Sequence, residues 1–119
     1  QNLRAMIDFH SYSQEILHAW SYTSTPPPLA SWMFELGLLV RNGILAQSGK
    51  SYVNGQAASI GGILSGTRKD YFYQTFQAAS YTIELRDTGQ FGFLLPENQI
   101  HPNQQEMWAG MKQFLQFLD

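Results

Sequence analysis

The chain has 119 residues, with 7 Lys and Arg against 9 Asp and Glu, and no cysteine. That length suits one compact domain with its own core, and the ordinary share of apolar and aromatic residues argues against disorder. A net charge of −2 speaks against nucleic-acid or anionic-membrane surfaces; no apolar run reaches the ~20 residues of a spanning helix; and the lack of Cys removes disulfides, thiolate chemistry and Cys-type zinc sites.

In chain order, Ala5-Met-Ile-Asp-Phe9 reads as a short strand that delivers His10 to its carboxyl end. Tyr22 to Pro28 is a loop, because three consecutive prolines can neither continue a helix nor sit in a central strand. From Leu29 to Gln47, Trp32, Leu36, Val40 and Ile44 recur every fourth position, which predicts one helix with a buried stripe, ended by Gly49. Ser51 to Gln56 is an extended segment or strand. Ala57 to Thr67, rich in Gly and Ser, is a loop.

Asp70 to Gln77 predicts a short helix carrying aromatic residues. Tyr81-Thr-Ile-Glu-Leu85 alternates and contains β-branched residues, so it reads as a strand. The last helix is expected to start at an Asn103 cap, with Glu106 completing a partial capping box. Met107, Met111, Phe114 and Leu118 would form its buried face. Strands separated by long helices point to an α/β layer arrangement, in which ligands gather beyond the carboxyl ends of the strands. His10 falls at such an end and Glu84 lies inside the later strand.

Taken singly, these residues carry little. A lone His is more often structural than metal-bound, and His18 and His101 keep that reading. A catalytic zinc normally needs three protein ligands plus water, and the chain has no His-Glu-x-x-His or His-x-x-Glu pair. A lone Glu in a strand next to Arg86 and Asp87 is usually a surface charge or an ion-pair partner.

Three blocks change that weighting: His10-Ser-Tyr-Ser-Gln14, Glu84-Leu-Arg-Asp-Thr88 and Phe91-Gly-Phe-Leu-Leu-Pro96. With Ser51-Tyr52, Gly55, Ser65-Gly66 and Asp70-Tyr71 in step between them, the chain resembles zinc exopeptidases of the carboxypeptidase A/B family across nearly its whole length. The resemblance implies the C-terminal half of a carboxypeptidase-like mixed β-sheet flanked by helices. Residues 1–119 would then be the C-terminal part of a single catalytic domain.

By the same resemblance, His10 is the third zinc ligand and Glu84 the general base and acid. Tyr12 and Phe93 line the stretch where the upstream part of the peptide lies, and Leu64 and Thr82 wall the pocket for the C-terminal side chain. Arg86 and Asp87 are expected to be structural, fixing the turn after the strand. Lys69 falls where the family's pocket-floor residue sits. A lysine there would favour C-terminal Glu or Asp and repel basic side chains, the alternative being a solvated loop pair with Arg68.

The resemblance also implies what this chain does not supply. The family's His-x-x-Glu zinc ligands and the arginines that grip the substrate carboxylate belong to the N-terminal half of the domain. Gln1 stands without an initiator Met or a charged-then-apolar leader, so the expectation is a start set by processing, cleavage or truncation. A strand opening at such a cut should expose unpaired backbone groups, and an N-terminal fragment of the same domain is the expected partner.

Gly62 occupies the position of the family's mobile active-site tyrosine. Its loss should weaken substrate binding by ~1–3 kcal/mol. The leading expectation is a secreted, zinc-dependent enzyme that removes single C-terminal amino acids from peptide or protein C termini. The alternatives are a weak or inactive homologue that binds peptides or a partner, or a fragment inactive by itself.

Overall fold

The computed structural model describes residues 2–118, so the expectation about Gln1 lies outside the described residues. Four strands form one sheet: β1 (Ala5–Ser11), β2 (Glu15–His18), β3 (Val53–Gln56) and β4 (Ala79–Leu85). Their order across the sheet is β1-β4-β2-β3. β1 runs parallel to β4, β2 antiparallel to β4, and β2 parallel to β3. The helices are α1 (Ala30–Ser48), the single turn α2 (Ala57–Ile60), α3 (Arg68–Phe76) and α4 (Ile100–Phe117). This is the expected α/β class, a mixed sheet flanked by helices.

The alternation of β4 assigns the two faces. Tyr81 and Ile83 point to the core, where the Tyr81 hydroxyl donates to the Met33 carbonyl at 2.7 Å and the ring meets Phe114 edge-on. Met33, Leu36, Val40 and Ile44 of α1 and Met107 and Phe114 of α4 close that core. Burial pushes the Tyr81 hydroxyl above its usual range. Thr82 and Glu84 point to the opposite face, where α3 lies: Lys69 Nζ donates to Thr82 Oγ1 at 3.1 Å.

Helices α1 and α4 approach at their glycines. A Cβ on Gly110 would sit 2.8 Å from the Val40 carbonyl oxygen, and one on Gly43 would sit 2.7 Å from that of Ala109. Any larger residue there forces the helices apart.

Most expected elements form close to their expected bounds. Gly49 ends α1 in the left-handed conformation and donates to the Leu45 carbonyl. Leu36, Val40 and Ile44 of the α1 stripe are buried as expected, but Met33 rather than Trp32 fills its first turn, and Trp32 only packs against the core. Residues 57–67 begin with the turn α2 rather than running as pure loop. Strand β2 was not expected; at four residues it is too short to show a period.

The end of the chain departs most. Helix α4 starts at Ile100 behind Gln99, with no side-chain cap, so Asn103 lies inside the helix and is not its cap. Glu106 is no capping-box residue either. It is completely buried and accepts from Arg86 Nε at 2.8 Å, Arg86 Nη2 at 2.5 Å, Ser48 Oγ at 2.5 Å and the Tyr52 hydroxyl at 3.1 Å. Burial, reinforced by the Glu106 charge and its hydrogen bond and opposed by Arg86, pushes the Tyr52 phenol above its usual range.

Arg86 is structural, as expected, but it anchors α4 rather than the turn. Asp87 fixes the turn, accepting from the Gly89, Phe91 and Gly92 amides at 2.8, 2.7 and 3.2 Å.

A buried ion pair is costly to break one-sidedly, because the remaining charge stays unpaired. Glu106→Ala should therefore destabilise the protein by about 3–5 kcal/mol, read as a lower urea midpoint by circular dichroism. A change below about 0.5 kcal/mol, the range of ordinary surface substitutions, would show that this network does not hold the fold.

Candidate active site

The register brings the candidate residues to one end of one sheet face. His10 of β1 stands opposite Glu84 of β4, and Asp8 stands opposite Thr82. From the other side of β4, Glu15 of β2 stands opposite Glu84, and Leu17 opposite Thr82. Directly paired residues project to the same side of a pleated sheet. Six side chains from three strands thus share one patch.

Two cavities open on it. The first, of about 400 Å³, is lined by Asp8, His10, Leu64, Lys69, Thr82 and Glu84, with Gly62 on its rim loop. The second, of about 500 Å³, is lined by Tyr12, Glu15, Phe93 and the serines Ser11 and Ser13. Leu17, Gly61, Leu64 and Glu84 line both, so the cavities meet at Glu84. Tyr12 and Phe93 meet edge-to-face with centroids 5.0 Å apart. All seven candidate residues therefore fall in one cleft.

Local causes fix each side chain. His10 Nε2 lies 3.0 Å from Asp8 Oδ2, and Arg68 Nη1 lies 3.6 Å from Asp8 Oδ1. A carboxylate on Nε2 holds the proton there and leaves the Nδ1 lone pair for another electrophile. Asp8 was missed in the sequence. Its signal was the Asp-x-His spacing, which puts both side chains on one face of a strand. Glu15 was missed for the same reason as β2.

Lys69 is the second residue of α3 and is buried, unlike its exposed neighbour Arg68. The solvated-pair alternative for Lys69 therefore fails. Its helix is pinned by Asp70, which accepts from Ser21 N at 2.9 and 3.0 Å and from Tyr22 N at 3.1 Å. Burial draws the Lys69 ammonium below the usual lysine range, opposed by the carboxylates of Asp70, Glu84 and Asp8.

The Glu84 carboxyl is held above its usual range. Burial is the main cause; His10 and Lys69 pull it down, and Glu15 pushes it up. Burial likewise raises Glu15. A carboxyl pushed upward in a cleft is suited to take and return a proton near neutral pH.

The remaining histidine in the sheet is no ligand candidate. His18 is buried, its Nδ1 lies 2.6 Å from the Ala19 carbonyl, and burial lowers its pKa against that hydrogen bond. Gly62 has φ +87°, a conformation that side chains adopt only under strain.

Among the described residues, no group of three His, Cys, Asp or Glu side chains could hold a metal ion. The donors present fit one ligand of a catalytic zinc site, His10 with its Asp8 support, and not a whole site.

An imidazole and a raised carboxyl stand at the carboxyl ends of neighbouring parallel strands, beside a two-chambered cleft on a mixed α/β sheet. The chain belongs to the zinc carboxypeptidase family, whose sequence model matches residues 1–110. It is 34% identical to mouse carboxypeptidase A4 over 97% of this chain and 27% of that protein. It is 36% identical to bovine carboxypeptidase A1 over 92% of this chain and 26% of that protein.

An inactive metallocarboxypeptidase (ecm14) of Sclerotinia sclerotiorum is also 36% identical, over 94% of this chain and 22% of that protein. The crystal structure of thrombin activatable fibrinolysis inhibitor superposes with TM-score 0.90 and 26% identity, over 97% of this chain and 29% of that one. Carboxypeptidase A from Helicoverpa armigera superposes with TM-score 0.82 and 27% identity, over 96% and 29%. The chain spans about a quarter of the length of the curated relatives it matches.

Proposed function

We propose that this chain is the C-terminal part of a single metallocarboxypeptidase catalytic domain that releases one amino acid at a time from peptide C termini. The observation that carries the reading is the His10–Glu84 juxtaposition across β1 and β4 in a chain of this family. His10, oriented by Asp8, would supply one zinc ligand, the others coming from outside this chain. When bound, zinc would polarise the scissile carbonyl and acidify water. Glu84 would accept the proton of the attacking water and return it to the departing amine. Secretion, in line with the family resemblance, is part of the same proposal; no described helix is long and apolar enough to cross a membrane.

The remainder of the domain is the proposed partner, joined to this chain or separate. Two observations support it. The outer edge of β1 bonds to no described strand. Beside it, an apolar groove of about 510 Å³ is lined by Ile7, Trp108, Met111, Leu115 and Leu118, with Trp108 60% exposed. Unpaired edges and apolar grooves of this kind ask for cover.

Substrate choice is proposed to rest on Lys69. Its ammonium lies in the chamber walled by Leu64 and Thr82, where a C-terminal Glu or Asp side chain would meet it. Tyr12 and Phe93 would flank the preceding residue. A second reading is favoured by Gly62: without the tyrosine, the protein would be a weak or inactive homologue that binds peptide C termini.

Three outcomes are expected of the full-length protein. Glu84→Gln should lower kcat on a blocked dipeptide ending in Glu by about 10²–10⁴-fold with zinc content unchanged; equal absence of turnover in the parent and the variant would favour the inactive homologue. Lys69→Met should reduce the preference for Glu over Leu in kcat/KM by roughly 10- to 100-fold, and Lys69→Asp should move it to Lys and Arg. Unaltered relative rates would remove Lys69 from the pocket. The outward amides of β1 should exchange hydrogen as slowly as those of β4, and fast exchange confined to β1 would mean that nothing covers that edge.

A further inference from the structure

We propose that Glu15 selects a basic side chain on the residue that precedes the scissile bond. This inference rests on the exopeptidase reading above and adds a second specificity determinant to it. The two cavities meeting at Glu84 differ in charge: among the described residues the first sets Arg68 and Lys69 beside Asp8 and Glu84, and the second carries carboxylates alone. Lys69 lies in the first. Among the described residues the second is lined by no Lys, Arg or His, and Glu15 is its carboxylate besides Glu84.

The two carboxylates differ in their surroundings. Glu84 feels His10 and Lys69. Glu15 stands on the far side of β4 from His10, and no hydrogen bond or ion pair from another described residue engages it. A half-buried carboxylate without a counter-charge is complementary to a cation brought by a ligand.

The walls suit the rest of such a side chain. Tyr12 and Phe93, packed edge-to-face, present aromatic surface to the same cavity. Lysine and arginine lay their alkyl stems along apolar surface and place their charge near aromatic faces. A peptide spanning Glu84 would then carry a positive side chain on one side and a negative one on the other. Neither charge could be exchanged without meeting its own sign.

The test uses the full-length, zinc-loaded protein and three blocked dipeptides ending in Glu, with Lys, norleucine or Glu at the preceding position. Norleucine keeps the stem of lysine and removes the charge. The expected order of kcat/KM is Lys, norleucine, Glu, with roughly 3- to 10-fold between the first two. Glu15→Gln should bring the Lys-to-norleucine ratio close to one, and Glu15→Lys should place the Glu peptide first. In the parent protein, raising ionic strength from about 0.05 M to about 0.5 M should shrink the ratio, a readout that needs no variant to fold.

Equilibrium binding of the same three peptides reads the ratio where nothing is hydrolysed, so a failure of catalysis is distinguishable from a failure of this preference. A ratio near one in the parent protein, or one that survives Glu15→Gln, overturns the assignment.

Discussion

The structure hangs on one buried carboxylate. Glu106 sits in α4 with no exposure and gathers the Arg86 guanidinium, the Ser48 hydroxyl and the Tyr52 phenol. Those groups come from the segment after β4, the end of α1 and the approach to β3. Removing two charges from water is unfavourable unless each polar atom finds a partner. Here both carboxylate oxygens are satisfied, so the position of α4 relative to the sheet is fixed by geometry and not only by apolar contact. Arg86 lies two residues beyond Glu84.

The cleft follows from the way three strands meet. A parallel neighbour on one side of β4 and an antiparallel one on the other bring His10 and Glu15 to opposite flanks of Glu84. Each flank then has its own electrostatics. One side gathers His10, Asp8, Arg68 and Lys69, and the other has carboxylates against aromatic walls. The raised Glu84 carboxyl is the sum of these influences: burial disfavours its charge, His10 and Lys69 offset part of that, and Glu15 adds to it.

The chain covers about a quarter of the curated relatives, and among its described residues no three His, Cys, Asp or Glu side chains could hold a metal ion together. In open α/β sheets, chemistry is assembled from the carboxyl ends of several strands. A stretch holding some of those strands holds a share of the chemistry and no more. Among the described residues, the outer edge of β1 is unpaired and an apolar groove lies between β1 and α4.

Sequence by itself determined the elements with strong periods or stops. The α1 stripe, its Gly49 terminator, the alternation of β4 and the proline loop are local signals, dictated by steric limits and side-chain direction within a few residues. The motif blocks around His10 and Glu84 were legible as well, because the residues of each block lie next to one another in the chain. Tertiary structure decided the rest. Strand β2 has too few residues to show a period, and it exists because β4 and β3 hold it from both sides. Glu106 read as a surface capping residue, since nothing nearby in sequence announces a partner twenty positions away. Whether Lys69 was solvated or buried depended on Thr82 and Asp70, and the role of Glu15 depended on a strand register. A carboxylate or ammonium has one identity in sequence but takes its energy from whatever the fold places within a few ångströms of it.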